Sequence, residues 1–214
     1  KFKGHALEHH LKDRAKQDLQ SIQIIFQMAD VAMNPRQKIK DIIGRPLEFY
    51  LGMKGKKREE RVLELLRQIE IPEGYAERYP AQLSGGEKQR ICIARALAAE
   101  PELIICDEIT SALDQLVAEG ILDLLLNLQK KIGISYLFIT HDLATVKSIA
   151  DEIVVMYQGE VVEQGPKAEI LSPPYAPYTE LLLSSVPEMN PDWLDNLVDR
   201  RKRGEVSTEQ GTVP

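Results

Sequence analysis

Short apolar runs alternate along this sequence with longer amphipathic stretches, and that alternation constrains the fold more than any other feature. Strands are predicted from the apolar runs at 22–26, 103–106, 134–140, 152–157 and 160–164. Helices are predicted from the amphipathic stretches at 36–50, 56–70, 84–99, 113–131 and 142–149. Strands that alternate with helices predict an α/β fold, in which a mainly parallel sheet is flanked by helices that cover its faces.

The predicted elements divide the chain into four segments. Residues 34–83 carry helix patterns and no strand signal, so we expect an α-helical subdomain inserted into the sheet. Residues 1–33 and 84–172 then supply the α/β core, and residues 173–214 form a C-terminal extension. The basic run at 200–203 in that extension has two interpretations, a docking patch or a solvated terminus, of which the second is the commoner.

Composition excludes several classes of protein. A net charge of −6 over 214 residues does not favour electrostatic binding to nucleic acid. No run approaches the roughly 18 apolar residues of a membrane-spanning helix, and the polar N-terminus does not resemble a signal peptide. The two cysteines, Cys92 and Cys106, lie in apolar surroundings, so we expect buried free thiols in a reducing cytosol.

Polar side chains follow three of the predicted strands. Gln27 follows the first, Asp107 and Glu108 follow the second, and His141 follows the third. Because ligands of open α/β sheets bind beyond the carboxyl ends of the strands, we expect these residues to converge on one edge. Successive side chains on a strand diverge, so one acid can hold Mg²⁺ while the other orients a water for attack on a phosphoryl group.

Each of these residues also has a purely structural interpretation. The Asp107-Glu108 pair is equally compatible with a turn whose acids cap the next helix. A lone histidine such as His141 is more often structural or superficial than catalytic, and Gln27 by itself indicates almost nothing.

The stretch 83-LSGGE-87 opens the fourth predicted helix in an unusual way. Ser84 and Glu87 have the S-x-x-E spacing of a capping box, which has a structural explanation. The box does not explain Gly85 and Gly86, since glycine in a helix costs about 1 kcal/mol relative to alanine. Glycines at a helix N-terminus leave the backbone N–H groups open to an anion, so the stretch predicts a phosphate cap.

In this order the motifs resemble those of ATP-binding cassette (ABC) ATPases, over nearly the whole chain. The stretch 83-LSGGEKQR-90 resembles the family signature, 103-LIICDE-108 the Walker B strand, and 111-SALD-114 the D-loop. Gln27 and His141 match the Q-loop glutamine and the switch histidine. The resemblance implies a fold like that of P-loop NTPases, with ATP and Mg²⁺ as ligands.

The resemblance also implies a role for each matching residue. Gln27 would sense Mg²⁺ and the γ-phosphate, and Asp107 would hold Mg²⁺ through water. Glu108 would act as general base, and His141 would orient the γ-phosphate. Asp114 would link the two sites of a dimer.

In the family, two subunits pair head to tail. The signature residues of one subunit, here Ser84, Gly85, Gly86 and Glu87, would cap the ATP held by the other.

Two further stretches resemble the oligopeptide/dipeptide importer branch of the family, namely 22–35 and 158–187. Three departures stand out. Met28-Ala29-Asp30 replaces the usual Asp-Pro, Ile109 stands where proline commonly follows the glutamate, and Ala176 stands where the branch often has histidine. The first two are expected to perturb loop geometry near the site.

The family's phosphate loop, G-x-x-x-x-G-K-[ST], has no match in these 214 residues, so the chain is expected to begin just after it. The sheet should then carry an unpaired edge and exposed apolar surface. Two functions remain open. One is the energy-coupling ATPase of an importer for peptides or similar solutes; the other is a non-catalytic truncated cassette that caps a partner's ATP.

The importer hypothesis implies several partners and a location. The chain would pair with a second ABC ATPase subunit and with membrane permeases, whose coupling helices the helical subdomain would receive. It would be cytoplasmic, held at the inner face of the membrane by the permeases, without a membrane span of its own and without nucleic acid.

Overall fold

The computed structural model describes residues 1–185, and its backbone contacts divide the chain into two compact units at His141/Asp142. The first unit, Lys1–His141, is built on a three-stranded sheet. Its strands are β1 (Ile22–Ile25), β2 (Leu103–Asp107) and β3 (Ser135–Ile139). The order is β1-β2-β3 and both pairings are parallel, which confirms the predicted α/β class.

Side chains alternate between the two faces of this sheet. On one face Ile25 and Cys106 are fully buried, and the helices of the unit pack there. On the opposite face Ile24 and Leu137 are 40% and 50% exposed, in register through Ile105. This face of the sheet therefore carries exposed apolar side chains in the described part of the chain.

The helices of the first unit agree with the predicted ones to within a few residues. They are α1 (Lys16–Ser21), α2 (Ala29–Ala32), α3 (Ile39–Leu51), α4 (Gly55–Gln68), α5 (Gly85–Leu97) and α6 (Gln115–Ile132). The short helices α1 and α2 were not predicted. Gly133 ends α6 with a φ of 71°, as a glycine C-cap should.

The segment from 34 to 83 contains α3, α4 and two 3₁₀ turns, and within it no strand is found. Its core consists of fully buried aliphatic side chains, among them Ile43, Leu47, Leu65 and Ile69. Helices α3 and α4 contact each other, and both contact α5. The predicted all-helical character of this segment is therefore confirmed.

The helical spacing of the apolar residues at 113, 116, 117, 121, 124, 125 and 128 predicts one buried face of α6, and for Leu116 this prediction is wrong. Leu116 is 80% exposed, whereas Ile121, Leu124, Leu125 and Leu128 are buried. At about 100° per residue, Leu116 lies on the side of the helix opposite Leu125 and cannot share its contacts.

The second unit begins at Asp142, and within its described part a two-stranded antiparallel sheet packs with short helices. Its elements are α7 (Leu143–Ile149), β4 (Glu152–Tyr157), β5 (Glu160–Pro166), α8 (Lys167–Ile170) and α9 (Pro177–Ser184). Gln158 and Gly159 have φ values of 50° and 87°, typical of a tight hairpin turn. The two strands predicted at 152–157 and 160–164 therefore form a hairpin through Gln158-Gly159, as their spacing predicts. The basic run at 200–203 lies outside the described residues.

Among residues 1–185, none of the helices combines the length and the apolar character needed to cross a membrane.

Candidate active site

The parallel register brings the carboxyl ends of β1, β2 and β3 side by side. Ile25 pairs with Cys106, which in turn pairs with Phe138. Gln27, Asp107, Glu108 and His141 all lie at or just beyond these ends. The structure thus brings the four strand-end residues to one edge of the sheet.

Glu108 is the centre of this group. Nε2 of Gln27 donates a hydrogen bond to its Oε2 over 2.7 Å, and Nδ1 of His141 lies 3.1 Å from its Oε1. The imidazole therefore donates to the carboxylate when Nδ1 carries the proton. Both carboxylate oxygens of Glu108 have a partner, one that follows β1 and one that follows β3.

The side chains of Glu108 and His141 differ in exposure, and the more exposed one is the freer to move. The side chain of Glu108 is 30% exposed, whereas that of His141 is 75% exposed. The imidazole can therefore leave the carboxylate without crossing a packed interior, and a water can replace it. A carboxylate in such a position can accept a proton from that water.

Ser111 completes the group, although the sequence analysis did not single it out. Its hydroxyl donates to the backbone carbonyl of Glu108 over 2.9 Å and accepts from Nε2 of Gln27 over 3.1 Å. Glu108 has a φ of 48°, a left-handed conformation that costs energy for a side chain with a Cβ. Ser111 and the bond from the Glu108 N–H to the Ile139 carbonyl hold that conformation. The available signal was the first position of the 111-SALD-114 motif.

Asp107 is the last residue of β2 and pairs in register with Ile139. Glu108 follows it outside the strand, with a φ of 48°, so the separate roles expected for the two acids stay a prediction. No cluster of three or more acids, histidines or cysteines suited to a metal is found within residues 1–185. Mg²⁺ needs only one or two carboxylates beside phosphate and water oxygens, and the hard oxygen donors of Asp107 and Gln27 fit it.

The N-terminus of α5 forms the predicted capping box. The Glu87 N–H donates to Oγ of Ser84 over 3.3 Å, and the Ser84 N–H donates to Oε2 of Glu87 over 2.7 Å. The other oxygen of Glu87 accepts from the Tyr75 hydroxyl over 3.0 Å. The hydrogen bond from the Ser84 backbone, helped by those from side chains, lowers the pKa of Glu87 against the opposing effect of burial. The side chain of Glu87 is thus fully used inside the chain.

The two glycines of this helix start serve different purposes. A Cβ at Gly86 would lie 2.5 Å from Cγ1 of Val117, so packing against α6 explains this glycine without a ligand. Contact of Gly86 with an anion therefore stays a prediction. At Gly85 the nearest atom to a Cβ would be Cδ2 of Leu113, at 3.7 Å, and the residue is exposed. Packing does not explain this glycine, and its backbone is accessible to an incoming group.

Asp114 is the N-cap of α6, and its Oδ1 accepts from the Val117 N–H over 3.0 Å. The carboxylate is exposed, so this cap leaves one oxygen available to a further donor. Val117 also packs on Gly86. The N-terminus of α6, which follows the D-loop stretch, therefore meets the N-terminus of α5, the signature helix.

Comparison with known proteins decides the family. A family model described as "ABC transporter" matches residues 1–111, more than half of the chain. The chain belongs to the ABC transporter family. A second model, described as the C-terminal region of oligopeptide/dipeptide transporters, matches residues 162–212. The first match contains the signature and Walker B stretches, and the second overlaps the C-terminal stretch 158–187.

Two curated relatives show the branch to which this ABC protein is similar. It is 41% identical over 208 residues to the dipeptide transport ATP-binding protein DppF of Escherichia coli (strain K12), covering 97% of the chain and 60% of the relative. It is 46% identical over 181 residues to the oligopeptide transport ATP-binding protein OppF of Bacillus subtilis (strain 168), covering 84% of the chain and 59% of the relative. The chain therefore spans about three fifths of the length of these relatives.

Among solved structures, this ABC protein is similar to a dimeric post-hydrolysis state of the ATP-binding cassette MJ0796 bound to ADP and Pi. The TM-score is 0.61 at 34% sequence identity, and the match covers 72% of this chain and 68% of that one. The neighbour confirms the α/β fold class of the cassette.

Two of the departures from the family pattern have a clear place in the structure. Ile109, which replaces the usual proline, is 2% exposed and adds to the core directly behind Glu108. Asp30, in the stretch that replaces Asp-Pro, is ion-paired with Lys88 on the signature helix. Neither prevents Gln27 and Glu108 from meeting.

Proposed function

We propose that this chain belongs to the ATP-hydrolysing, energy-coupling subunit of an ABC importer for peptides or similar small solutes. The observation that carries the proposal is the position of Glu108. Its carboxylate stands at the carboxyl edge of a parallel sheet, held between Gln27 and His141, where a general base for attack of water on a phosphoryl group is needed. The similarity to DppF and OppF supports peptides as the solute class.

The residues around Glu108 take distinct roles in this proposal. Asp107, through water, and the amide oxygen of Gln27 would hold Mg²⁺. The ion, when bound, neutralises charge on the phosphate oxygens. His141 moves from the carboxylate to the γ-phosphate, since its exposed ring is free to turn. Glu108 then accepts the proton of the attacking water.

A second subunit completes the site in this proposal. The neighbour MJ0796 is dimeric, which supports pairing with a second cassette, here taken as head to tail. Ser84 presents its hydroxyl and Gly85 its backbone N–H to the ATP of the partner, while Gly86 and Glu87 build the helix start behind them. Asp114, the cap of the adjoining helix, links the two sites.

The remaining partners follow from the importer function. Permease subunits bind the cassette at its helical segment, and they hold it at the cytoplasmic face of the membrane. The similarity to DppF and OppF, which are named as peptide transport proteins, supports a place in a transport complex.

The test compares two variants that change a carboxylate to an amide. Glu108→Gln removes the proposed base, and Glu59→Gln is the matched control because Glu59 is an exposed residue of α4. Both are made in the natural gene, with any coding sequence that precedes the Lys1 codon. We expect Glu108→Gln to lower ATP turnover at least about tenfold, since general-base catalysis contributes about 10²–10⁴-fold. The control should retain wild-type turnover, and unchanged turnover in Glu108→Gln refutes the role.

A nucleotide titration separates the two functions left open by the sequence. The ATPase hypothesis requires ATP binding and turnover by the protein from the natural gene. A cassette that only caps its partner would bind no ATP alone, yet a partner's hydrolysis would depend on Ser84 and Gly85. Wild-type protein that neither binds nor hydrolyses ATP therefore excludes the first function.

A further inference from the structure

The short helix α2 directly follows Gln27 and is too short to be stable by itself. It has four residues, lacks a side-chain cap, and none of its residues is buried. A single helical turn is unfavourable without outside contacts, because nucleation fixes several residues for one hydrogen bond. The position of α2 must therefore be set by what it touches, and it contacts α5.

Two side chains of α5 hold α2 from the same side. Nζ of Lys88 lies 2.6 Å from Oδ1 of Asp30, and the Arg95 guanidinium donates to the Ala32 carbonyl. Lys88 and Arg95 are seven residues apart, close to two full turns, so they project from one face of α5. Met33, directly after α2, is buried and anchors the end of the segment.

The ion pair between Lys88 and Asp30 is partly shielded from solvent on its Lys88 side. The side chain of Lys88 is only 17% exposed, so loss of its partner would leave an ammonium with little water around it. Lys88 also lies near the N-terminus of α5, where the helix dipole disfavours a cation. The carboxylate of Asp30 offsets both effects, so the pair exerts a real restraint on α2.

We propose that Asp30 and Lys88 are positioning residues that clamp the Gln27 segment to the signature helix. Gln27 lies between two anchors, the fully buried Ile25 of β1 and the clamped α2. Whether the Gln27 side chain can reach Glu108 therefore depends on both anchors, Ile25 and α2. Because Lys88 follows the Ser84–Glu87 capping box directly, the clamp ties the glutamine of one site to the helix start that caps the partner's ATP. This last step rests on the proposed function.

Amide hydrogen exchange of residues 28–33 tests the clamp on the chain itself. We expect Asp30→Asn and Lys88→Gln each to speed exchange in this segment about threefold or more, the scale of one lost ion pair. The charge-reversed double variant Asp30→Lys/Lys88→Asp should return exchange to within about twofold of wild type. Glu60→Gln is the control, because it breaks the exposed Lys56–Glu60 pair on α4 and should leave residues 28–33 unchanged.

Two results would overturn the clamp: wild-type exchange in both single variants, or a reversed pair that exchanges as fast as the singles. Asp30 is 69% exposed on a short surface helix, so Asp30→Asn folds even if changes at Lys88 disturb α5.

The second readout is the Mg²⁺ dependence of ATP turnover by the protein from the natural gene. Asp30→Asn should raise the half-saturating Mg²⁺ concentration about threefold and lower kcat by a smaller factor. The charge-reversed double variant Asp30→Lys/Lys88→Asp should restore the wild-type Mg²⁺ dependence. An unchanged Mg²⁺ dependence contradicts the effect on Gln27. If wild-type protein hydrolyses no ATP, the proposed function fails, whereas the exchange result still decides the clamp.

Discussion

Gln27 and Glu108 are joined by a hydrogen bond of 2.7 Å between Nε2 and Oε2, although 81 residues separate them in the sequence. The bond connects the end of β1 to the end of β2 and occupies one of the two oxygens that the proposed base would use. His141 occupies the other. Both oxygens of Glu108 therefore have a partner from elsewhere in the sequence, and each keeps a second acceptor site for a water.

Ser111 should prove important for turnover, because its hydroxyl braces both members of this pair. In the protein from the natural gene we expect Ser111→Ala to lower kcat about two- to tenfold, the scale of one hydrogen bond. Ser111→Thr keeps the hydroxyl and should retain most of the rate. Steady-state ATPase assays measure both. Equal losses in the two variants would show that the hydroxyl is not the cause.

Gly86 should be intolerant of a side chain for reasons of packing alone. A Cβ there would lie 2.5 Å from Cγ1 of Val117, and overpacking of this kind costs about 1–3 kcal/mol. We therefore expect Gly86→Ala to lower the free energy of unfolding by that amount in urea denaturation. Gly85→Ala, with its nearest contact at 3.7 Å, should be neutral or slightly stabilising.

The double variant Gly86→Ala/Val117→Ala tests the cause. If the clash is responsible, removal of the valine methyl groups recovers part of the loss, and the two effects are not additive. Additive losses would mean that Gly86 is required for some other reason.

The local pattern of the sequence was sufficient for most of the fold. Short continuous apolar runs located β1, β2 and β3, and helical spacing located the four long helices of the first unit, since a helix that buries one face repeats its apolar residues at that spacing. The same reasoning failed at Leu116, because its apolar character suggested a face that its helical angle does not reach. It also missed α2, whose four residues have no period and whose position depends on Lys88 and Arg95.

The candidate site divides in the same way. The residues at strand ends could be predicted, because a parallel sheet brings those ends together whatever the loops do. Ser111 and the packing of Gly86 on Val117 could not, because they depend on contacts between segments that are distant in sequence or on backbone angles. A φ of 48° at Glu108 has no signature in the residue type.

The two thiols should be unreactive in the folded protein. Cys92 and Cys106 are at most 1% exposed, and burial raises the pKa of both, that of Cys106 to about 12. Since the thiolate is the reactive form, we expect labelling at pH 8 to be at least about a hundredfold slower in native protein than in denaturant. A disulfide-exchange reagent followed by absorbance measures the rate. Fast labelling of either thiol under native conditions would contradict the burial.

The capping box should make part of the stability depend on acid pH through Glu87. Hydrogen bonds, first from the Ser84 backbone N–H and also from Tyr75, lower the pKa of Glu87 in the folded chain below its ordinary value of 4.5. A lowered folded pKa means that this contribution is fully present above about pH 4.5 and is lost as the pH falls through the folded value. Glu87→Gln keeps one oxygen acceptor, replaces the other oxygen by a donor NH2 group, and cannot titrate. We expect wild type to be the more stable at pH 7, and the difference to shrink between pH 4.5 and pH 3.

Urea denaturation of both proteins at pH 7, 5, 4 and 3 measures this difference, with Glu59→Gln as a control outside the box. Tyr75→Phe removes one donor and should bring the acid loss of stability to a higher pH, since fewer bonds then favour the carboxylate. A constant difference between wild type and Glu87→Gln at every pH would show that the charge of Glu87 does not stabilise the helix start.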